Sequence, residues 1–341
     1  MRTRIDAALE TFMAEEIEQL LGLHGELVPF LAQVQTSVRG GKRVRGAFCY
    51  WGWRATGQPD DDSVIRAAAA IELAHAAAIV HDDIIDGSDA RRGGPSSHVA
   101  LEALVKDPRH ASVHATGLAI LTGDLLMAWA GQLFLASGLP RAYLGRARAL
   151  WFDLARELVA GECLEILSTH GEPGIDRALE IIRLKTAKYS IERPLHIGGT
   201  LGGASPGLLA TFTAYGIPLG EAFQLRDDLL GVFGDPSQTG KSNMDDLRGG
   251  KPTALLAATM AAADETERKE LDRLLGCPDL DRDGLDAVRQ IMERTGARRR
   301  VETMIEERTE AARAAIASPL LSPDASTALA RLVSPTAVRE F

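Results

Sequence analysis

Two short acidic runs are the features of this sequence best suited to chemistry. The first, His81-Asp82-Asp83-Ile84-Ile85-Asp86, closes an apolar stretch that includes Ala76-Ala77-Ala78-Ile79-Val80. On a helix, Asp82 and Asp86 stand one turn apart on one face, while Asp83 is turned roughly 100° away. Two carboxylates on one face repel each other unless a cation lies between them. Mg²⁺ is the natural partner, because it is hard, prefers oxygen and is held by one or two carboxylates plus substrate phosphates. The second run, Gln224-Leu225-Arg226-Asp227-Asp228-Leu229-Leu230-Gly231, also follows an apolar segment. Gln224 precedes Asp227 and Asp228 by one helical turn. Either run by itself reads equally well as a charged helix end in solvent. Together, each at the polar edge of an otherwise apolar helix, they predict facing helices that converge on a metal site.

A metal held in this way needs an anionic ligand to complete its shell, and the sequence supplies basic groups to match. Arg39-Gly40-Gly41-Lys42-Arg43-Val44-Arg45 reads as a glycine-loosened turn entering a helix. There, backbone N–H groups and cationic side chains can both hold phosphate. Arg91-Arg92-Gly93 follows the first acidic run, and Lys185-Thr186, Lys241 and Gly249-Gly250-Lys251-Pro252 complete the set. Each alone matches a solvated surface charge, so their weight lies in occurring together.

Helices must carry these groups. Helical periodicity recurs over 4–21, 26–36, 44–56, 61–86, 96–105, 112–136, 141–168, 175–198, 207–232, 252–261, 265–275, 282–314 and 324–333. The breaks have turn chemistry at Gly57-Gln58-Pro59-Asp60, Gly93-Gly94-Pro95, Gly171-Glu172-Pro173-Gly174 and Gly234-Asp235-Pro236. Aromatic residues make up only 5%, and β-branched residues rarely come in runs, which argues against a large sheet. No low-complexity linker divides the chain, so residues 1–341 read as one all-α domain. The polar, aperiodic stretch 234–252 is long enough to suggest a cover for a site.

The bulk composition narrows the function classes. With 45% hydrophobic and 25% charged residues, the chain reads as a globular protein with ample core. A net charge of −9 argues against a general nucleic-acid binder. Cys49, Cys163 and Cys277 are scattered, as expected of reduced thiols in a cytoplasmic protein. The N-terminus is an acidic amphipathic helix, not a signal peptide. The most apolar stretch, 67–80, is interrupted by Glu72 and His75 and is too short by itself to cross a bilayer. A soluble protein without a transmembrane segment is expected.

The motifs occur in a definite order: Gly40-Gly41-Lys42-Arg43-Val44-Arg45, His75, Asp82-Asp83-Asp86, Arg91-Arg92, Lys185-Thr186, Gln224 with Asp227-Asp228, then Lys241. This set, spanning about 40–253, resembles the trans-isoprenyl diphosphate synthases, the family of farnesyl, geranylgeranyl and longer polyprenyl diphosphate synthases. The resemblance implies an all-α bundle of the isoprenoid synthase type around a central cavity. It also implies several Mg²⁺ ions bridging the aspartates and an allylic diphosphate, and a homodimer. Asp82 and Asp86 would bind Mg²⁺ with Asp83 in support, and Asp227, helped by Asp228, would bind the remaining ion. Arg91, Lys185 and Lys241 would hold the allylic diphosphate, with Lys251 a further phosphate contact. Lys42, Arg45, His75 and Arg92 would hold isopentenyl diphosphate. Thr186 and Gln224 would place oxygen atoms near the carbocation.

Three places depart from the family pattern. Gly161-Glu162-Cys163-Leu164-Glu165 stands where the family often has Gly-Gln-x-x-Asp. Gly46 stands where many relatives have proline. The second run ends in Gly231 instead of a third aspartate, with Asp235 a substitute. Ala77 and Ala78, then Ala74 and Ile71 a turn or two earlier, put no aromatic floor under a growing chain. A product longer than farnesyl is therefore expected, with geranylgeranyl diphosphate favoured, and Ala77→Phe should shorten it. Met127 or Trp129 on a neighbouring helix would be an alternative stop. A terpene cyclase would not need the isopentenyl site, and a non-catalytic partner subunit commonly loses one acidic run. A His-Asp phosphohydrolase would need ligands from His98, His110 and His114, which read better as surface or packing residues.

Overall fold

The computed structural model describes residues 1–169, 171, 174–235 and 243–337. Lys241 lies outside the described residues, as do the other residues of 236–242. The chain is a succession of helices: α1 (Arg2–Leu23), α2 (Val28–Val38), α3 (Val44–Ala55), α4 (Asp62–Ile85), α5 (Ser97–Leu101), α6 (Ala111–Leu135), α7 (Arg141–Ser168) and α8 (Ile175–Ile182). A π-helical segment, Arg183–Glu192, runs from α8 into α9 (Arg193–Gly202). Then follow α10 (Pro206–Phe233), α11 (Asp245–Arg248), α12 (Ala254–Ala262), α13 (Glu265–Leu274), α14 (Arg282–Arg294), α15 (Ala297–Ala315) and α16 (Pro323–Ala337). Among the described residues, the strands are a two-residue pair, β1 (Ala90–Arg91) against β2 (Gly94–Pro95).

Local chemistry explains the starts. Asp61 accepts the Ser63 N–H ahead of α4, and Ser205 accepts the Leu208 N–H ahead of α10, where Pro206 also presets the first turn. Asp264 and Glu267 form a reciprocal capping box on α13. The expected 282–314 helix is two helices, broken where Gly296 turns left-handed at φ 73°. The expected 96–105 helix shortens to α5 plus a 3₁₀ turn, and 175–198 extends to Gly202 with the π segment inside it.

Two apolar cores hold the bundle. The first gathers Ile5, Leu31, Leu73, Leu126 and Leu133 from α1, α2, α4 and α6. The second gathers Phe212, Tyr215, Leu219, Val288, Val301 and Ile305 from α10, α14 and α15. Helix α3, the π segment and α9 contribute to both, through Trp53 and Phe48, Tyr189 and Ile191, and Ile197 and Leu195. These three elements are the seam along which the halves meet. Helix α4 has 24 residues, longer than its most apolar stretch, but 72% of its apolar window is buried inside the protein, as in a core helix. The corresponding window in Pro108–Leu135 is only 44% buried, so α6 keeps an apolar outer face.

The π segment can lie close to its neighbours because they present glycines. A Cβ on Gly161 of α7 would stand 2.6 Å from the Lys185 backbone nitrogen, and one on Gly216 of α10 would stand 3.0 Å from Glu192 Cα. A Cβ on Gly220 would overlap the Ala187 backbone. Wide turns of this kind are common at functional sites, and this one carries Lys185 and Thr186. Gly220→Ala should cost about 1–3 kcal/mol by overpacking, read as a lower urea midpoint at unchanged slope.

Candidate functional site

The C-terminal end of α4 brings Asp82, Asp83 and Asp86 to the seam, each in a different role. Asp83 is buried and accepts from the Arg91 Nε at 2.7 Å, with a second, shorter bond from the same guanidinium. Burial alone would push its carboxyl up, and the Arg91 charge works against that shift. The hairpin β1–β2 is what turns Arg91 back onto the helix end. Asp82 lies 3.5 Å from Arg91 on one side and 3.3 Å from Lys185 Nζ on the other. Asp86 accepts from Lys251 Nζ at 2.6 Å.

Lys185 also lies 2.7 Å from Glu162 and 2.7 Å from Glu165, so three carboxylates surround one ammonium. These charges raise the Lys185 pKa although burial opposes it. Glu162, which stands where glutamine was expected, is pushed up by burial, and its Oε1 has no hydrogen-bond partner among the described residues.

Helix α10 faces this group. The Thr186 hydroxyl donates to Gln224 Oε1 at 2.8 Å, and the Gln224 amide donates to Asp228 Oδ1 at 2.9 Å. Asp228 is buried; desolvation, with the charges of Asp246 and Asp227 adding, pushes it up to about 8. The space beside Gly231 is taken not by Asp235 but by Asp246 of α11, whose Oδ2 lies 2.6 Å from where a Gly231 Cβ would stand. Lys251 links the sides, 2.6 Å from Asp86 and 3.8 Å from Asp246. The expected cover 234–252 thus contains a helical turn that faces the acidic runs.

The donor set suits Mg²⁺. Asp82 and Asp86 each already accept a cationic side chain, and Asp228 Oδ2 is a buried acceptor without a donor among the described residues. The described residues form no closed cage of three or more protein ligands.

A second basic patch lies next to the first. His75 stands on α4 two turns before Asp82; its Nδ1 is 3.5 Å from the Tyr189 hydroxyl. Burial, with Arg45, Arg92, Arg43 and Arg91 around it, holds its pKa well below the ordinary histidine value. Arg45 donates to Ser190 at 2.7 Å and lies over the Tyr189 ring. Arg92 donates to the Arg39 carbonyl at 2.7 Å, and Lys42 is exposed. Arg43 and Arg92 both have left-handed backbone, φ 53° and 54°, a conformation that costs a non-glycine residue about 1–2 kcal/mol. Asp6 and the Val38 carbonyl hold Arg43 in place.

The start of α3 is not an open phosphate cradle. Glu72 of α4 is buried and accepts the Gly46 N–H at 2.7 Å, with Arg43 at 3.9 Å. It caps α3 from a neighbouring helix. Gly46 supplies an N–H that proline lacks, and a Cβ there would meet Ile5 at 2.8 Å.

Of the proposed wall residues, Ile71 and Ala77 are fully enclosed and Ala74 nearly so, while Ala78 is half-buried. Trp129 is buried against Phe12 and Met127 is 37% exposed. His81 packs on Gly123 of α6 with its Nε2 3.2 Å from the Ile120 carbonyl oxygen. His110 and His114 stack on each other, and His98 pairs with Ser96. His110 also pairs with Asp107 at 3.0 Å and His81 lies 3.7 Å from Asp124, but among the described residues the histidines gather into no group of three or more that could hold a metal. A solvent-open depression lined by Phe233, Asp286, Arg289 and Gln290 lies elsewhere, between α10 and α14.

The family described as polyprenyl synthetase matches residues 29–294. A geranylfarnesyl diphosphate synthase of Aeropyrum pernix is 33% identical over 263 residues, 76% of this chain and 77% of that one. A geranylgeranyl diphosphate synthase of Saccharolobus solfataricus is 30% identical over 259 residues, covering 75% and 73%. Among solved structures, a geranylgeranyl pyrophosphate synthase of Corynebacterium glutamicum, complexed with isoprenyl diphosphate and magnesium, superposes with a TM-score of 0.93. It shares 32% identity, and 98% of each chain is covered.

Glu72→Ala would leave the Gly46 N–H buried without an acceptor and take away the more distant of the two carboxylates beside Arg43. A loss of about 1–3 kcal/mol in denaturant unfolding is expected.

Proposed function

This chain belongs to the polyprenyl synthetase family, and from that premise we propose that it condenses isopentenyl diphosphate with allylic diphosphates to make a linear trans-prenyl diphosphate, geranylgeranyl diphosphate in the first place. The observation that supports the reading best is the pairing of Asp82, Asp83 and Asp86 with Lys185, Arg91 and Lys251 at the seam opposite Gln224 and Asp228.

Asp82, Asp86 and Asp227 would hold Mg²⁺, which when bound neutralises the diphosphate as the allylic C–O bond breaks. The chain's own cations share that task. Lys185, Arg91 and Lys251 now rest on carboxylates; a metal taking those carboxylates would turn the same donors toward phosphate. Lys241 joins them in this reading. Lys42, Arg45 and Arg92 hold the second diphosphate, beside a His75 that stays neutral and so offers a hydrogen bond without adding charge. Thr186 commits its proton to Gln224, which leaves its oxygen lone pairs for the developing cation. The proton lost from the isopentenyl unit goes to the released diphosphate, so no histidine base is required. Residues 243–252, which bring Asp246 and Lys251 to the acidic runs, would help exclude water from the site.

The purified protein, given Mg²⁺, labelled isopentenyl diphosphate and dimethylallyl, geranyl or farnesyl diphosphate, should yield a twenty-carbon chain. Loss of Mg²⁺ should abolish it. Condensation with none of the primers by folded, Mg²⁺-binding protein would sink the reading. Because Ala77 is enclosed and Ala78 is not, the shortening substitution moves one residue: Ala78→Phe should give shorter products, whereas Ala77→Phe overpacks the core.

The chain further acts as a cytoplasmic homodimer. Nine of the fifteen large apolar side chains exposed among the described residues lie on α6 and α7, Ile120, Leu121, Phe152, Val159 and Leu167 among them. A second copy would cover this face. Sedimentation should give twice the mass of the chain, and Leu121→Glu should halve it; a monomeric wild type at micromolar concentration would refute the pairing.

A further inference from the structure

Glu162 and Lys185 meet where α7 crosses the π segment. A Cβ on Gly161 would stand 2.6 Å from the Lys185 backbone nitrogen, so the two backbones touch and the neighbouring Glu162 has little room to draw away. Its Oε2 lies 2.7 Å from Lys185 Nζ, and the two side chains are only 16% and 19% exposed. Three carboxylates share this one ammonium, but they are not equivalent. Asp82 has a second cation in Arg91, at 3.5 Å. Glu165 also feels the charge of Lys251. Glu162 has no such second partner, and its Oε1 is buried without a hydrogen bond among the described residues. An ammonium drawn off toward an anion would therefore leave Glu162 ionised and unpaired in a poorly solvated place, which opposes the transfer. A diphosphate arriving at Lys185 would also meet the Glu162 charge itself.

We propose that Glu162 competes with the allylic diphosphate for Lys185 and so keeps the grip on substrate and released diphosphate weak. Glu162 is then a positioning residue that acts through the ammonium, and the proposal rests on the prenyltransferase reading. The competing role is structural: Glu162 would hold Lys185 ready for the diphosphate, and its loss would weaken binding. The two roles predict effects of opposite sign.

Calorimetric titration with the S-thiolo analogue of geranyl diphosphate, which ionises slowly, separates them. Glu162→Gln keeps the size of the side chain and removes its charge. It should lower the dissociation constant about 10-fold, the scale of removing one unit charge from a partly screened site. In turnover, KM for the allylic diphosphate should fall while KM for isopentenyl diphosphate stays unchanged, because Arg45 and Arg92 rest on other partners. Added to Lys185→Met, the same substitution should gain clearly less binding, because the ammonium that carries the competition is gone. Unchanged or weaker binding of the analogue by folded Glu162→Gln overturns the proposal and leaves the reaction assignment standing. So does an undiminished gain in the Lys185→Met background, which would assign the effect to repulsion alone. Wild-type protein that binds no analogue would refute both this proposal and the reading of the site. If Glu162→Gln does not fold, Glu162→Met, uncharged and of similar length, answers the same question.

Discussion

Carboxylate repulsion is the constraint around which this structure is built. Asp82, Asp86, Glu162, Glu165, Asp228 and Asp246 converge from α4, α7, α10 and α11, and in a poorly solvated space such a group is stable only if cations lie among it. Lys185 answers three of these carboxylates at once, Lys251 answers two, and Arg91 neutralises the buried Asp83. Asp228 stands apart: its carboxyl is raised to about 8 mainly by burial. The site is thus held together by internal cations whose partners are the very groups that a metal and a diphosphate would recruit.

That arrangement depends on backbone placement, which the helices supply by close approach. The π segment delivers Lys185 and Thr186 from one wide turn, and it fits because α7 and α10 present glycine where it crosses them. The hairpin after α4 sends Arg91 back to Asp83, and Arg92 beyond it to the Arg39 carbonyl. Left-handed backbone at Arg43 and Arg92 is tolerated because fixed partners hold both side chains. Strain at two cationic residues of one basic patch is a mark of pre-organisation.

Apolar burial and local charge divide the labour. Helix α4 is long and apolar enough to be mistaken for a membrane span, yet most of it lies inside the first core. Its buried Glu72 is satisfied by the start of α3, so the same helix carries His75 of the basic patch at its middle and the first acidic run at its end. The outer faces of α6 and α7 carry the apolar surface that the cores do not absorb.

The sequence by itself determined the helical class, most helix starts, and the two acidic runs with the basic groups that match them. Those features are local: periodicity, capping residues and i to i+4 spacing act within a few residues of each other. Asp82 and Asp86 are legible as a pair because one turn separates them. Only the tertiary structure decided that Asp246 fills the gap at Gly231, that Glu72 caps α3, that Glu162 and Glu165 share Lys185 with Asp82, and that Ala78 instead of Ala77 meets open space. It likewise split 282–314 at Gly296 and widened 183–192 into a π turn. Each of these outcomes depends on which atoms of distant segments meet when the helices pack, and pairing between distant segments leaves no mark in local spacing.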